Sequence, residues 1–149
     1  MDEQAYFLKR SNRGYVTEER FVLAAIERDL MVSRPCLPNY PFDFVVTTPK
    51  GCMTAQVKSS HAMPNGSYRC DLRSTSGRKH KDQPCIDPSV AFMAIYAHDV
   101  KGFYIIPSSA LSEVSSCIRV SGETPWPIYL NNWTFSNLED KAALDTEEN

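Results

Sequence analysis

Residues 41–58, PFDFVVTTPKGCMTAQVK, read as two strands closed by a turn, and the rest of the chain is arranged around them. Phe42, Phe44, Val45 and Val46 are aromatic or β-branched, types that suit a pleated strand, and Asp43 interrupts them. Thr48-Pro49-Lys50-Gly51 is a turn signal, with Pro suited to its second position and Gly to its fourth. From Met53 to Lys58 the two-residue period sets Gln56 and Lys58 on one face and Met53, Ala55 and Val57 on the other. An antiparallel pairing centred on Pro49-Lys50 opposes Asp43 to Gln56 and Pro41 to Lys58, with opposed β-carbons about 4.5–5.5 Å apart. A β-bulge would shift that register by one residue. Without one, carboxylate, amide and ammonium converge at one end of the hairpin.

That trio fits phosphodiester hydrolysis. Asp43 and the Gln56 side-chain oxygen offer the oxygen ligands a hard divalent ion prefers. Such an ion polarises a phosphate and lowers the pKa of a bound water. Lys58 can orient the water or offset charge developing on the phosphate. The same residues also fit a half-buried hairpin with a wet polar face, because ion pairs across strands are common.

The residues from Thr17 to about Leu30 predict an amphipathic helix, with Thr17 as N-cap and Glu18-Glu19 in its first turn. At 100° per residue, with Glu18 at 0°, Phe21, Val22, Ala25 and Ile26 fall at about 300°, 40°, 340° and 80°. Their mean lies near 0°, so Glu18 stands on the centre line of the apolar stripe. A carboxylate facing a core requires a cation or hydrogen bonds. A first-turn Glu satisfying the helix end is the plainer account of the same residue.

The chain has 149 residues, 42% of them hydrophobic and 23% charged, enough for one domain with a real core. Residues 1–140 are expected to form that domain, and 141–149 an acidic, disordered tail. No run approaches transmembrane length, and the polar start MDEQAYFLKR lacks a signal peptide's apolar segment. Five cysteines without a CxxC pair point to free thiols in a reducing compartment, hence a cytoplasmic location. Cys70, His80 and Cys85 lack any standard zinc-ligand spacing. Net charge is −2, but residues 139–149 hold five acids and one lysine, which leaves +2 for the preceding 138 residues. Lys58, Arg69, Arg73, Arg78, Lys79 and Lys81 stand against Asp71 alone between positions 58 and 81. A local basic patch of this kind is what phosphate contacts need, although solvated basic loops are also common.

Around the hairpin, Arg34 to Pro41 is a proline-rich loop, and Asn65-Gly66 is a turn leading to a strand at 67–73. That strand puts Arg69, Asp71 and Arg73 on one face and Tyr68, Cys70 and Leu72 on the other. Residues 90–97 and 102–107 read as a buried hairpin, although Asp87-Pro88 also resembles a helix start, which leaves a helix over 88–97 open. A short helix at 108–114 and a short strand at 118–120 follow. Trp126, Tyr129, Trp133 and Phe135 are read as packing aromatics.

Asp43, twelve intervening residues, then Gln56-Val57-Lys58 resembles the PD-(D/E)XK nuclease signature, with Pro41-Phe42-Asp43 as a loosened "PD" and Gln56 in place of the usual acid. The Gln-x-Lys form is similar to the branch of group I intron homing endonucleases, near the Holliday-junction resolvases. Gly14-Tyr15-Val16-Thr17-Glu18 matches the Gly-x-x-x-Glu of the first helix in those nucleases, and AIYAHDVKGFYIIP resembles their aromatic-rich strand pair. The resemblance spans about residues 14–107. It implies an α/β, restriction-endonuclease-like core: an N-terminal helix, then a mixed sheet extended by the 67–73 strand, with the site on the central hairpin. It implies metal-dependent DNA cleavage with Mg²⁺ or Mn²⁺. Asp43, Gln56, the Val57 carbonyl and Glu18 would be the ligands, and Lys58 would orient the water. Arg69, Arg73, Arg78, Lys79 and Lys81 are expected to contact DNA, and a homo-oligomer is expected because one site cuts one strand. A junction resolvase, or an inactive DNA-binding or assembly protein on the same fold, would share this framework.

Overall fold

A computed structural model describes residues 2–73, 86–121 and 124–135. The 41–58 hairpin forms as its turn chemistry dictates. Strands β2 (Phe44–Thr48) and β3 (Gly51–Ser59) pair antiparallel around Pro49-Lys50, with Phe44 opposite Ala55 and Thr48 opposite Gly51. Gly51 has φ 127°, which a side chain would strain. The Thr48 hydroxyl ties the turn by donating to the Gly51 carbonyl at 3.0 Å and accepting from the Lys50 N–H at 3.2 Å.

Strand β1 (Met31–Ser33) pairs with the outer edge of β2, a short strand without a sequence signal of its own. On the inner side, β6 (Phe92–Ala97) runs parallel to β3 and turns back antiparallel into β7 (Gly102–Pro107). The main sheet is therefore mixed, in the order β1-β2-β3-β6-β7. Every residue of β6 and β7 is buried, which is why these runs are apolar without alternation. The open choice over 88–97 resolves as strand. Asp87 accepts the Ser89 N–H at 2.9 Å and closes a turn instead of opening a helix.

Alternation along β6 and β7 divides the core in two. Phe92, Ala94, Tyr96, Phe103 and Ile105 pack with Phe44, Val46, Ala55, Val57 and Phe21 on one face. Met93, Ile95, Tyr104 and Ile106 pack on the other face with Cys70, Leu72, Ile118 and Val120. The second face is covered by a separate three-stranded sheet of β4 (His61–Ala62), β5 (Tyr68–Asp71) and β8 (Cys117–Arg119). The expected faces of the 67–73 strand are observed, but it does not extend the catalytic sheet. Ser60 is the reason: its N–H and hydroxyl both bond the Tyr96 carbonyl, at 3.0 and 2.8 Å, and the chain leaves the main sheet there. The outer edge of β7 is closed by residues 130–131, through the Tyr104–Leu130 bridge and the Asn131 N–H on the Phe103 carbonyl at 2.7 Å. Ser108–Leu111 and Trp126–Tyr129 are single 3₁₀ turns, and Trp126, Tyr129, Trp133 and Phe135 pack on the core as expected.

Helix α1 spans Glu3–Ile26, not Thr17 to Leu30. Asp2 is its N-cap, accepting the Ala5 N–H at 2.7 Å, so Thr17 is an interior residue and Glu18 lies far from the first turn. The described side chains from residues 2 to 16 are all exposed, and an unburied stretch leaves no apolar period to read. At its end, Asp29 takes φ 60° and the Leu30 N–H bonds back to the Ala25 carbonyl, a left-handed stop. Thr17, Phe21 and Ala25 form the buried line, while Ile26 is exposed. Glu18 is therefore turned about 100° from Thr17 and about 60° from Phe21, on the flank of the stripe and not its centre. The acidic-tail reading of 141–149 falls outside the described residues.

Candidate active site

The hairpin's open end is not a simple continuation of the ladder. A two-residue turn makes Thr48 and Gly51 a hydrogen-bonded pair, and alternation makes Phe44 and Ala55 another. The Asp43 N–H donates to that same Ala55 carbonyl at 2.8 Å, so Asp43 and Phe44 both oppose Ala55. This is a β-bulge, and it corrects the expected Asp43–Gln56 opposition by one residue. The Asp43 carboxylate accepts the Val57 N–H at 2.8 Å, the bond that a continued strand would have given to the Phe42 carbonyl. Because a strand residue sends its N–H and C=O to the same edge, the Val57 carbonyl also leaves toward Asp43.

Glu18 reaches this bulge from α1. Its carboxyl is hydrogen-bonded to that of Asp43, and both are half-buried. Burial pushes the Glu18 carboxyl above the usual carboxylate range; the Asp43 charge adds to the rise and nearby Arg34 opposes it. Asp43 is raised as well, again by burial, against the pull of the Val57 N–H, the Lys58 ammonium and the Glu18 hydrogen bond. Both carboxyls are therefore held above the ordinary carboxylate range, by burial first, and the Asp43 charge adds to the rise at Glu18. Glu19, the neighbouring acid, is paired instead with Arg34 in an exposed ion pair.

Lys58 is half-buried, acts electrostatically on Asp43, and donates from Nζ to the Arg73 carbonyl at 3.3 Å. Gln56 is half-buried one pleat away on the Lys58 face of β3. The Val57 main chain thus stands between the Glu18–Asp43 pair and the Gln56–Lys58 face. Glu18, Asp43 and the Val57 main chain meet at one strand end, with Lys58 in electrostatic reach of Asp43 and Gln56 on the Lys58 face of β3.

A family model described as PD-(D/E)XK endonuclease matches residues 8–125. The chain belongs to this family. The match takes in α1 from Leu8 onward and every strand through β8, and with them Glu18, Asp43, Gln56 and Lys58. Among solved structures, the chain is similar to the bacterial homing endonuclease I-Ssp6803I, with a TM-score of 0.68 at 18% identity over 93% of this chain and 98% of that one. At that identity the likeness shows the fold, which is restriction-endonuclease-like: an N-terminal helix and a mixed sheet. No curated protein matches the chain.

A PD-(D/E)XK endonuclease with Gln56 at the acid position has two side-chain carboxylates here where its signature would supply more negative charge. Accordingly, no group of three or more His, Cys, Asp or Glu side chains is placed to hold a metal among the described residues. The donors present still fit a hard divalent ion. All are oxygens, and the paired Glu18 and Asp43 carboxyls, both raised in pKa by burial, form a site whose negative charge a cation would offset.

The basic residues fall into separate groups. Arg69 turns its guanidinium onto Cys117 Sγ at 3.1 and 2.8 Å, and Arg73 pairs with exposed Asp71 at 3.1 Å. Arg73 holds the Asp71 carboxyl below its usual range through that hydrogen bond. Arg78, Lys79 and Lys81 lie outside the described residues, as do His80 and Cys85. Arg34 carries no signal in the sequence; its guanidinium lies 5.1 Å from the Phe44 ring centroid and within electrostatic reach of Glu18. Nothing in a proline-rich loop distinguishes it beforehand. No described helix is long and apolar enough to cross a membrane.

Proposed function

We propose that this nuclease domain is a metal-dependent endonuclease that hydrolyses DNA phosphodiester bonds in the manner of a homing endonuclease. The observation that carries the reading is the Glu18–Asp43 carboxyl pair, seated on the Val57 N–H beside Lys58 at the bulged strand end. Asp43 and Glu18, with the Gln56 side-chain oxygen and the Val57 carbonyl, would hold Mg²⁺ or Mn²⁺. When bound, such an ion polarises the phosphate and makes a bound water more acidic. Asp43 commits one oxygen to Val57 and keeps the other for the site, so its orientation is fixed before substrate arrives. Glu18, whose pKa burial and the Asp43 charge hold up, would bind the ion as a carboxylate. Lys58, steadied by the Arg73 carbonyl, orients the attacking water or offsets charge on the phosphate. DNA approaches over the basic residues between positions 58 and 81, and two copies of the chain would serve the two strands.

Gln56 favours a second reading, an inactive DNA-binding or assembly protein, because a neutral amide binds cations less well than a carboxylate. The deciding experiment incubates the protein with supercoiled, linear and four-way-junction DNA, with and without Mg²⁺. Metal-dependent nicking that Asp43→Asn abolishes supports the enzyme. Preference for the junction would assign a resolvase. Binding without cleavage in any metal would leave the assembly reading.

A further inference from the structure

On the helix side of the sheet, the end of β3 carries a second polar cluster that the cleavage site does not use. Thr17, buried in α1, donates its one hydroxyl proton to the Arg13 carbonyl at 3.1 Å. Its oxygen lies 3.0 Å from Ser59 Oγ, so the proton between those two hydroxyls is the one on Ser59. Ser59 must then accept at its remaining contact, His98 Nε2 at 3.1 Å. The relay fixes the imidazole: Nε2 carries the proton, and Nδ1 is left free of it. His98 packs edge-on against the Tyr96 ring, centroids 4.8 Å apart, and the Arg20 guanidinium lies 4.8 Å from the centroid of that ring.

Arg20 from α1 and His98 after β6 thus both lie against Tyr96, His61 of β4 is near enough to act electrostatically on His98, and all three side chains are exposed. None of the three forms a salt bridge among the described residues. His98 is held below its usual pKa by burial first, then by Arg20 and His61, and Asp99 is the one acid that opposes them. Basic groups thus outnumber acids at this corner among the described residues, with Asp99 alone opposing Arg20 and His61. Ser59 lies two residues along β3 from Val57, about 7 Å, so the corner adjoins the cleavage site.

We propose that Arg20, His61 and His98, with His98 oriented by the Ser59–Thr17 relay, form a second phosphate seat that grips the DNA backbone beside the cleavage site. The seat rests on the nuclease reading for its ligand, a phosphodiester, but its chemistry is that of any phosphate. Arg20 supplies a permanent charge. A bound phosphate favours protonation of His98 at Nδ1, since its charge offsets the Arg20 and His61 repulsion that, after burial, holds the His98 pKa down. Arg20, His61, Asp99 and the Tyr96 phenol are the titratable or charged groups facing it.

Two measurements test this. The first follows the histidine ring resonances by NMR as inorganic phosphate is added, in wild type, Arg20→Ala and Ser59→Ala. His98 and His61 should shift and the His98 pKa should rise in wild type, with the response weakened in both variants. The second measures the affinity of a short labelled duplex in EDTA, where cleavage is absent, over salt and pH. Arg20→Ala and His98→Gln should each bind several-fold more weakly, and Arg20→Ala should lower the slope of log K against log[salt] by about one. Wild-type affinity should rise as pH falls, more steeply than that of His98→Gln. A purely architectural cluster would lower the melting temperature of these variants without changing the salt slope or the phosphate response, and that result overturns the seat. Phosphate shifts without any duplex binding would keep the seat and remove DNA as its ligand.

Discussion

Asp43 has two tasks. Oδ2 takes the Val57 N–H and fixes the bulge, and the carboxyl also meets Glu18. Asp43→Asn keeps an acceptor for Val57 and loses the charge, so cleavage should vanish with a melting temperature close to wild type, as nicking assays and thermal melts of the same preparation would show. Gln56→Glu should do the reverse: metal affinity rises in calorimetric titration, while the metal-free protein loses stability through a third crowded carboxylate. The raised pKa of Glu18 carries a sign. A carboxyl whose folded pKa lies above its unfolded one contributes stability that is present below the unfolded value and lost as pH rises through the folded value. Metal-free protein should therefore melt lower as pH climbs from the ordinary carboxylate range through the raised one, and Glu18→Gln should flatten that slope. Added Mg²⁺ should reverse it, since the ion binds the deprotonated pair. Asp43, Gln56 and Lys58 were legible because period two and a Pro-Lys turn fix their neighbours. The bulge was not, because a carboxylate competing for a backbone N–H leaves no mark on hydrophobic pattern.

At the scale of elements, α1 positions Glu18 through one side chain above others. Phe21 stacks on Phe44 and Trp133, with ring centroids 5.4 and 5.5 Å apart, and meets Phe103 edge-on at 5.7 Å. Glu18 stands less than one turn before it, so the aromatic cluster sets the height at which the acid meets Asp43. A helical wheel built on apolar residues alone weights Ile26 equally with Phe21, and the structure separates them. Phe21 is fully buried, whereas Ile26 is 56% exposed. Phe21→Ala should cost about 3–5 kcal/mol, and Ile26→Ala should stay within about 0.5 kcal/mol, both read from urea denaturation. Equal costs would mean that the helix sits on the sheet in another rotation, which would also move Glu18. The strands were readable from β-branched and aromatic runs, and β6 and β7 from their unbroken apolarity. The start of α1 was hidden because its first turns bury nothing, and the separate β4-β5-β8 sheet because the Ser60 bonds that divert the chain are tertiary.

For the molecule as a whole, charge and stoichiometry decide how it would work on DNA. A net charge of −2 requires that phosphate contacts be local. Arg73 is paired with Asp71 and exposed Arg69 rests on Cys117 Sγ, while Arg78, Lys79 and Lys81, outside the described residues, are the further cations expected to contact DNA. Replacing those three with Ala should weaken duplex binding and lower the salt slope by about one unit for each phosphate no longer neutralised, whereas unchanged affinity across a salt series would assign them to solvation. Stoichiometry gives a sharper test. On the proposed reading each chain carries one cutting site, the Glu18–Asp43 pair, and a double-strand break would take two chains on one duplex. Titrating wild type with increasing Asp43→Asn at constant total protein builds mixed assemblies with a single competent site. Supercoiled plasmid should then give less linear and more nicked circle, in proportion to the share of mixed pairs. A linear-to-nicked ratio that does not respond to mixing would mean that each chain cuts independently, and the symmetric assembly would have to be abandoned while the site itself stood.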